Sequence, residues 1–297
     1  MALIDGLLAP ESSFQKRFFF LAKRFVAGES IDAALAVVRS LNAQGMSATL
    51  DFLGEDAIKP QAALDTRRAY FEIMEAIGRA GLDSNVSLKL TALGLLIGED
   101  FAGDNLAAIL ARAQQNSDPF VRIDMEGSKL VDATLRVFER LYRDYRNVGP
   151  VLQAYLKRTP VDVERAITLG ARVRLCKGAY NEPSRIAYKD MPTIRRQYSR
   201  MAERLLSANH YPGIATHDPI LIDAVKEHVR STGIGTDAFE FQLLFGVRPE
   251  MQRALVAQGY RVRVYIPFGT HWATYFYRRI TERKENIVFA LRSIWQK

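Results

Sequence analysis

A single cysteine, Cys176, excludes an intrachain disulfide and a zinc site built on cysteines, and this usage fits a reducing compartment. No apolar run approaches the roughly 20 residues that a membrane-spanning helix needs. The opening MALIDGLLAPESS carries Asp5 where a secretory signal would be basic, so the expectation is a cytoplasmic protein. The sequon Asn85-Val86-Ser87 is then a chance match. Also missing are HExxH, the HxH that follows the first strand of a barrel metallohydrolase, and a Walker phosphate loop. His210, His217, His228 and His271 therefore show no metal-site spacing. The stretch Gly233 to Ala238 satisfies a dinucleotide-binding glycine pattern, but it follows a helix and precedes a strand, the reverse of what places a pyrophosphate on a helix amino terminus. Acidic residues are outnumbered, 33 against 41 Lys and Arg, and the resulting +8 favours an anionic partner: a phosphate-bearing cofactor, an acidic lipid surface or nucleic acid.

What is present is the composition of a folded globular chain, 297 residues of which 48% are hydrophobic. From residue 47 onward, short runs rich in Val, Ile, Leu and Phe alternate with stretches of helical periodicity. The strand candidates are 48–53, 86–90, 120–125, 149–155, 171–176, 213–216, 238–243 and 260–266. Helix candidates between them have recognisable ends: 65–80 stops at Gly81, 161–169 starts after Pro160 and stops at Gly170, and 249–258 stops at Gly259. Eight βα units with no Pro-, Gly- or Ser-rich linker point to an α/β fold, a closed parallel (β/α)8 TIM barrel over residues 46–297. Residues 1–45 contain two helical patterns, 12–26 and 31–43, expected to pack on the barrel.

In such a barrel the chemistry sits at the carboxyl ends of the strands. Polar residues occupy that place in nearly every strand: Asp51, Lys89, Asp124, Gln153, Arg174, Thr216 with His217, Gln242 and Tyr265. Each alone could be a satisfied polar residue in a barrel layer, but buried polar groups cost about 1–3 kcal/mol each when unpaired, so a ring of them points to a shared ligand. The stretch Arg174-Leu175-Cys176-Lys177-Gly178-Ala179-Tyr180 suits an anion, since the glycine lets backbone amides approach and the cations neutralise charge. Cys176, inside the strand, reads as a structural thiol. In the last helix Tyr275, Arg278, Arg279 and Glu282 share one stripe, while Phe276, Ile280, Ile287, Leu291 and Ile294 form another. The polar stripe is either a solvated face or a pair of arginines that clamps a carboxylate in bidentate fashion.

Eight pieces in order carry a resemblance: Leu50 to Glu55, Ser87 to Leu90, Ile123 to Gly127, Gln153 to Tyr155, Arg174 to Tyr180, Ala215 to His217, Phe239 to Gln242, and Tyr275 to Glu282. The chain resembles the monofunctional bacterial proline dehydrogenase family and is similar to the corresponding domain of the bifunctional proline utilisation flavoproteins. It departs from the latter at Asn181, where they have tryptophan, and in a shorter turn between His271 and Tyr275. The resemblance implies a distorted barrel with a carboxyl-terminal helix over its mouth and noncovalently bound FAD. The reaction it implies is oxidation of L-proline to Δ1-pyrroline-5-carboxylate by hydride transfer to the flavin N5, the first step of proline catabolism, with electrons passed to a membrane quinone. It further implies that Asp124 and Arg174 are catalytic, with Arg174 also at the flavin. Lys89, Arg278 and Arg279 would bind the substrate carboxylate, and Leu175, Tyr180, Tyr265 and Tyr275 would enclose its ring. Flavin contacts would come from Met125, Gln153, Lys177, Gly178, Ala179, Thr216, His217 and Glu282, with Asp51 orienting the cations.

Two other classes stay open at this stage. A barrel enzyme acting on a phosphorylated small molecule would use Lys177 and the arginines on phosphate. A basic peripheral membrane protein would use the segment from Lys16 to Phe25 at an anionic lipid surface, although packing of that helix on the barrel competes with it. A weak, salt-sensitive membrane contact is also compatible with the flavoenzyme, as is coupling to a separate pyrroline-5-carboxylate dehydrogenase. Nucleic acid is disfavoured, because no binding motif accompanies the charge.

Overall fold

The structure, a computed structural model, describes residues 22–54, 56–273 and 275. Helix α1 (Ile31–Asn42) precedes a regular alternation of β1 (Ser47–Phe52), α2 (Pro60–Ala80), β2 (Ser84–Leu88), α3 (Glu99–Ala113), β3 (Val121–Ile123), α4 (Val131–Tyr142), β4 (Val148–Gln153), α5 (Thr159–Leu169), β5 (Arg174–Cys176), α6 (Met191–Ala208), β6 (Gly213–Ala215), α7 (Pro219–Thr232), β7 (Glu240–Leu244), α8 (Pro249–Ala257) and β8 (Val262–Phe268). Every strand pairs in parallel with the next, and β8 closes on β1 in a register running from Ser47 opposite Arg263 to Phe52 opposite Phe268. The expected (β/α)8 barrel is therefore present, with all eight strands where the apolar runs placed them.

The helix ends follow local chemistry. Proline in the first turn opens α2, earlier than the Asp65 start expected, because its ring presets φ where no intrahelical donor is needed. Helices α2 and α5 stop where Gly81 and Gly170 turn left-handed, at φ 60 and 75. The Asp190 carboxylate caps α6 by accepting from the Thr193 amide at 2.8 Å. Strands β3 and β5 are shorter than the runs 120–125 and 171–176 that contain them. Past their ends single bonds continue the ladder toward the mouth: Asp124 N donates to Leu88 O and Ala154 N to Cys176 O, each at 2.8 Å. Regular pairing gives way there as the chain turns to line a cavity.

Alternation along the strands sorts the side chains. Leu50, Leu88, Ile123, Leu152, Leu175, Ile214, Phe241 and Val264 join one continuous core between strands and helices, where Ile73, Leu106, Phe138, Tyr198 and Val225 meet them. Each such burial contributes about 1.5–3 kcal/mol. The inward set is mostly polar or charged: Thr49, Asp51, Ser87, Arg122, Gln153, Arg174, Glu240, Gln242 and Arg263 are all buried. Aliphatic layers are the usual filling of such a barrel, so this interior has to be held by hydrogen bonds.

Helix α1 packs on β1, β8 and α2 through Ala34, Leu35, Val38 and Leu41. Of the earlier pattern 12–26, only 22–26 is described. There Ala22, Phe25 and Val26 bury against Leu53, Trp272, Ala273 and Tyr275, so Phe25, at the end of the segment considered for lipid, faces protein. Ala27 N donates to Pro267 O at 3.0 Å, and Trp272 Nε1 donates to Glu29 Oε1 at 3.0 Å, tying this segment to the start of the last helix. Arg278, Arg279 and Glu282 lie outside the described residues.

Candidate active site

A cavity of about 310 Å³ opens at the carboxyl ends of the strands. All nine polar strand-end residues singled out from the sequence line it: Asp51, Lys89, Asp124, Gln153, Arg174, Thr216, His217, Gln242 and Tyr265. Met125, Lys177, Gly178, Ala179, Tyr180 and Tyr275 line it as well. Leu175 does not. Its neighbours Arg174 and Cys176 point inward, so Leu175 faces the helices, fully buried in the outer core while its carbonyl accepts from Tyr198 OH at 3.0 Å. A ring-enclosing role for Leu175 is therefore corrected to a packing role.

Asp124 organises the cavity floor. Its Oδ1 accepts from Arg174 Nη1 and from Ser87 Oγ, both at 2.8 Å, and its Oδ2 accepts from Tyr265 OH at 2.7 Å. The Arg174 guanidinium lies 5.2 Å from the centre of the Tyr265 ring, and its Nε donates to Gln242 Oε1. Burial, then the Asp124 and Asp51 carboxylates, push the Tyr265 phenol well above its ordinary pKa, so it stays protonated and acts as a donor. The carboxylate, guanidinium and phenol come from three strand ends and form one rigid unit.

One wall is built from the loops after β5 and β6. Lys177 Nζ pairs with Asp218 Oδ2 at 3.3 Å, and Arg195 Nε reaches the same oxygen at 2.9 Å. Burial raises the Asp218 pKa, but the hydrogen bond from Arg195 and the Lys177 charge outweigh it, and the net shift is downward. Asp218 N donates to Thr216 Oγ1 at 3.1 Å, which fixes that hydroxyl. His217 Nε2 accepts from Leu244 N at 3.0 Å, so its proton sits on Nδ1 when the ring is neutral. Lys177 and Arg174, the cations considered for a phosphorylated substrate, are thus each paired with a carboxylate, Asp218 and Asp124.

On the other side Gln153 Nε2 donates to the carbonyls of Met125 and Glu126 at 3.4 Å. Its buried Oε1 has no hydrogen-bond partner among the described residues. Gly178, at φ +107, brings the loop so close to Tyr155 that a Cβ would stand 2.1 Å from that ring. Thr91 N and Oγ1 donate to Glu126 at 3.2 and 2.7 Å, and Ser128 N and Oγ donate to Glu182 at 2.7 and 2.5 Å, pinning neighbouring loops together. Cys176 lines the cavity too, with burial pushing its thiol up to about 11. Ser87, Glu126, Asp218 and Glu240 were not singled out from the sequence. Ser87 and Glu240 each stand two residues before a residue that was, on the same strand face, and this period was the available signal.

The family model described as "Proline dehydrogenase" matches residues 34–292. Proline dehydrogenase 1 of Bacillus subtilis subsp. natto is 40% identical over 276 residues, covering 93% of this chain and 91% of its own. Proline dehydrogenase of Deinococcus radiodurans is 39% identical over 289 residues, covering 96% and 93%. The bifunctional protein PutA of Salmonella typhimurium is 28% identical, with 92% of this chain aligned to 24% of that longer protein. Among solved structures, proline utilization A (PutA) from Bdellovibrio bacteriovorus inactivated by N-propargylglycine superposes with a TM-score of 0.83 at 26% identity, covering 91% of this chain and 33% of that one. With the family matched over nearly the whole barrel, and full-length relatives near 40% identity, the chain belongs to the proline dehydrogenase family.

Proposed function

We propose that this protein oxidises L-proline to Δ1-pyrroline-5-carboxylate with noncovalent FAD as its cofactor. The observation that carries the reading is the Asp124–Arg174–Tyr265 unit at the floor of a strand-end cavity, in a chain of this family. The residues present fit the cofactor. The orphaned acceptor Oε1 of Gln153 suits the imide N–H of an isoalloxazine ring, and Gly178, whose missing Cβ lets the loop pack against Tyr155, is itself part of the cavity wall. Lys177, Ala179, Thr216, His217 and Met125 are at hand for the rest of the nucleotide, with Glu282 assigned to it by family resemblance.

When bound, FAD supplies the two-electron acceptor for the hydride that leaves the proline carbon next to nitrogen. The protein's own part is positioning and charge. Arg174, held on two sides, keeps a fixed positive charge at the floor, where it favours negative charge developing on a bound group. Lys89 lines the cavity as a cation for the substrate carboxylate, joined in this reading by Arg278 and Arg279. Tyr180, Tyr265 and Tyr275 give the ring apolar walls and exclude water. Asp124 holds Arg174 and Tyr265 so that neither has to reorganise as the reaction proceeds.

In the same reading residues 46–297 are the catalytic barrel and 1–45 helices packed on it. The protein is cytoplasmic, a membrane quinone takes the electrons through a weak peripheral contact, and a separate pyrroline-5-carboxylate dehydrogenase consumes the product. The described residues contain no helix long and apolar enough to cross a membrane, which suits contact with the bilayer from outside. The test is the visible spectrum of FAD-loaded protein under anaerobic conditions. L-Proline should bleach the flavin and D-proline should not; a bound flavin that L-proline leaves oxidised refutes the substrate assignment, and failure to bind FAD refutes the cofactor.

A further inference from the structure

Below the cavity floor a line of buried polar groups crosses the barrel interior. Arg263 Nε donates to both oxygens of Glu240 at 2.9 and 3.0 Å, its Nη1 donates to the Ala48 carbonyl at 2.7 Å, and its Nη2 pairs with Asp118 at 3.1 Å. Glu240 Oε1 accepts from Gln242 Nε2 at 2.5 Å, and Gln242 Oε1 accepts from Arg174 Nε. Arg263, Glu240, Gln242 and Arg174 are between 3% and 6% exposed, so solvent does not compete for these bonds.

The line has a direction. An amide side chain can present either its oxygen or its NH2, whereas an ionised carboxylate only accepts and a guanidinium only donates. Burial pushes the Glu240 pKa up, but the Arg263 charge, the Gln242 hydrogen bond and Arg122 bring it below the ordinary value, so Glu240 is charged. Gln242 must then turn Nε2 to Glu240 and Oε1 to Arg174; the flipped amide would set oxygen against carboxylate and NH2 against guanidinium.

Strand β6 lies between the two partners, with Arg174 in register with Gly213 and Gly213 with Glu240. A Cβ on Gly213 would stand 2.4 Å from Nε2 and 2.6 Å from Cδ of Gln242. The missing side chain is the opening through which a β7 residue reaches a β5 residue. The contact also has a use at the floor. Asp124 and Ser87 both hold Nη1 of Arg174, a single end of the guanidinium, and Gln242 on Nε is the second anchor that sets its plane.

We propose that Gln242, its amide turned by Glu240 and admitted by Gly213, is a positioning residue that fixes the plane of the Arg174 guanidinium for the oxidation of proline. The inference rests on the function proposed above and deepens it. The test compares FAD-loaded wild type with Gln242→Met, which keeps length and volume but removes the acceptor, and with Gly213→Ala, which removes no hydrogen-bonding atom and only displaces the amide. Anaerobic stopped-flow reduction by L-proline and the flavin midpoint potential are the readouts. In Gln242→Met the limiting rate of flavin reduction should fall about 10- to 100-fold, the apparent proline affinity should stay within about threefold, and the potential should move negative; Gly213→Ala should move the same way by less. A purely structural role would lower thermal stability and leave rate and potential in place, and that result overturns the proposal. If Gln242→Met does not bind FAD, Gly213→Ala decides by the same criteria, and if both lose FAD the claim that Gln242 acts on rate and not on assembly of the site is overturned. Wild-type flavin that L-proline does not bleach would instead refute the proposed function, so the two failures are distinguishable.

Discussion

Asp124→Asn removes one charge and almost no volume from the cavity floor. Asp124 Oδ1 holds Arg174 Nη1 and Ser87 Oγ, and Oδ2 holds Tyr265 OH. The arginine and aspartate side chains are 7% and 15% exposed, so their attraction is weakly screened. At an effective dielectric of about 20 it amounts to about 4 kcal/mol, and breaking such a buried pair from one side costs about 3–5 kcal/mol. The asparagine recovers part of this, because its oxygen can still face Arg174 and Ser87. Its NH2 then meets Tyr265, which must turn from donor to acceptor. A net loss of about 2–3 kcal/mol corresponds to a drop of roughly 3–5 °C in Tm for a domain of this size. The guanidinium, no longer pulled by a charge, shifts at the floor, and a misplacement of about 1 Å can lower the rate about 100-fold. The assay pairs differential scanning calorimetry of the FAD-loaded protein with anaerobic flavin reduction by L-proline. A variant that loses the expected Tm yet reduces its flavin within about threefold of wild type refutes the placement of Asp124 at the reacting end of the cavity. Unchanged Tm and rate refute the whole geometry.

Three further outcomes are expected. Gly178→Ala, with φ +107 and a Cβ 2.1 Å from the Tyr155 ring, should weaken FAD binding about 10- to 100-fold in a fluorescence-quenching titration, from about 1–3 kcal/mol of strain; an unchanged Kd would place the flavin elsewhere. Arg278→Ala and Arg279→Ala should each raise the apparent Kd for proline with FAD retained, measured by flavin reduction against proline concentration, and unchanged kinetics in both would remove the carboxylate clamp. Cys176, its thiol raised to about 11, should be about 100-fold less ionised at pH 8 than an ordinary thiol. Iodoacetamide labelling of native protein should be correspondingly slow and rise about tenfold per pH unit up to that value, whereas fast labelling at pH 8 would contradict the raised thiol.

The strands were legible because each is a short apolar run whose outward side chains must be buried, and Leu50, Leu88, Ile214 and Phe241 are indeed in the outer core. The ring of polar strand-end residues was legible for the complementary reason: Asp51, Lys89, Asp124 and Gln153 interrupt those runs at the end where a barrel opens. Leu175 shows the limit of this reasoning. It sits inside a motif whose neighbours face the cavity, yet alternation sends it to the helices, since one residue along a strand changes the face. Strand ends were overestimated at β3 and β5 because an apolar run does not reveal where pairing stops and splaying begins.

From composition and period alone, the amino-acid sequence determined that this chain buries eight parallel strands behind amphipathic helices and gathers its polar residues at one mouth, because burial and alternation are local properties of consecutive residues. Which polar residues become partners was decided only by closure of the barrel. Arg174 meets Gln242 from two strands away across Gly213, Asp124 meets Tyr265 from the far side of the cavity, and Asp218 gathers Lys177 and Arg195 from two other elements. These contacts join residues far apart in the chain, and their geometry depends on strand register and on the space a missing side chain leaves, neither of which leaves a local mark in the sequence.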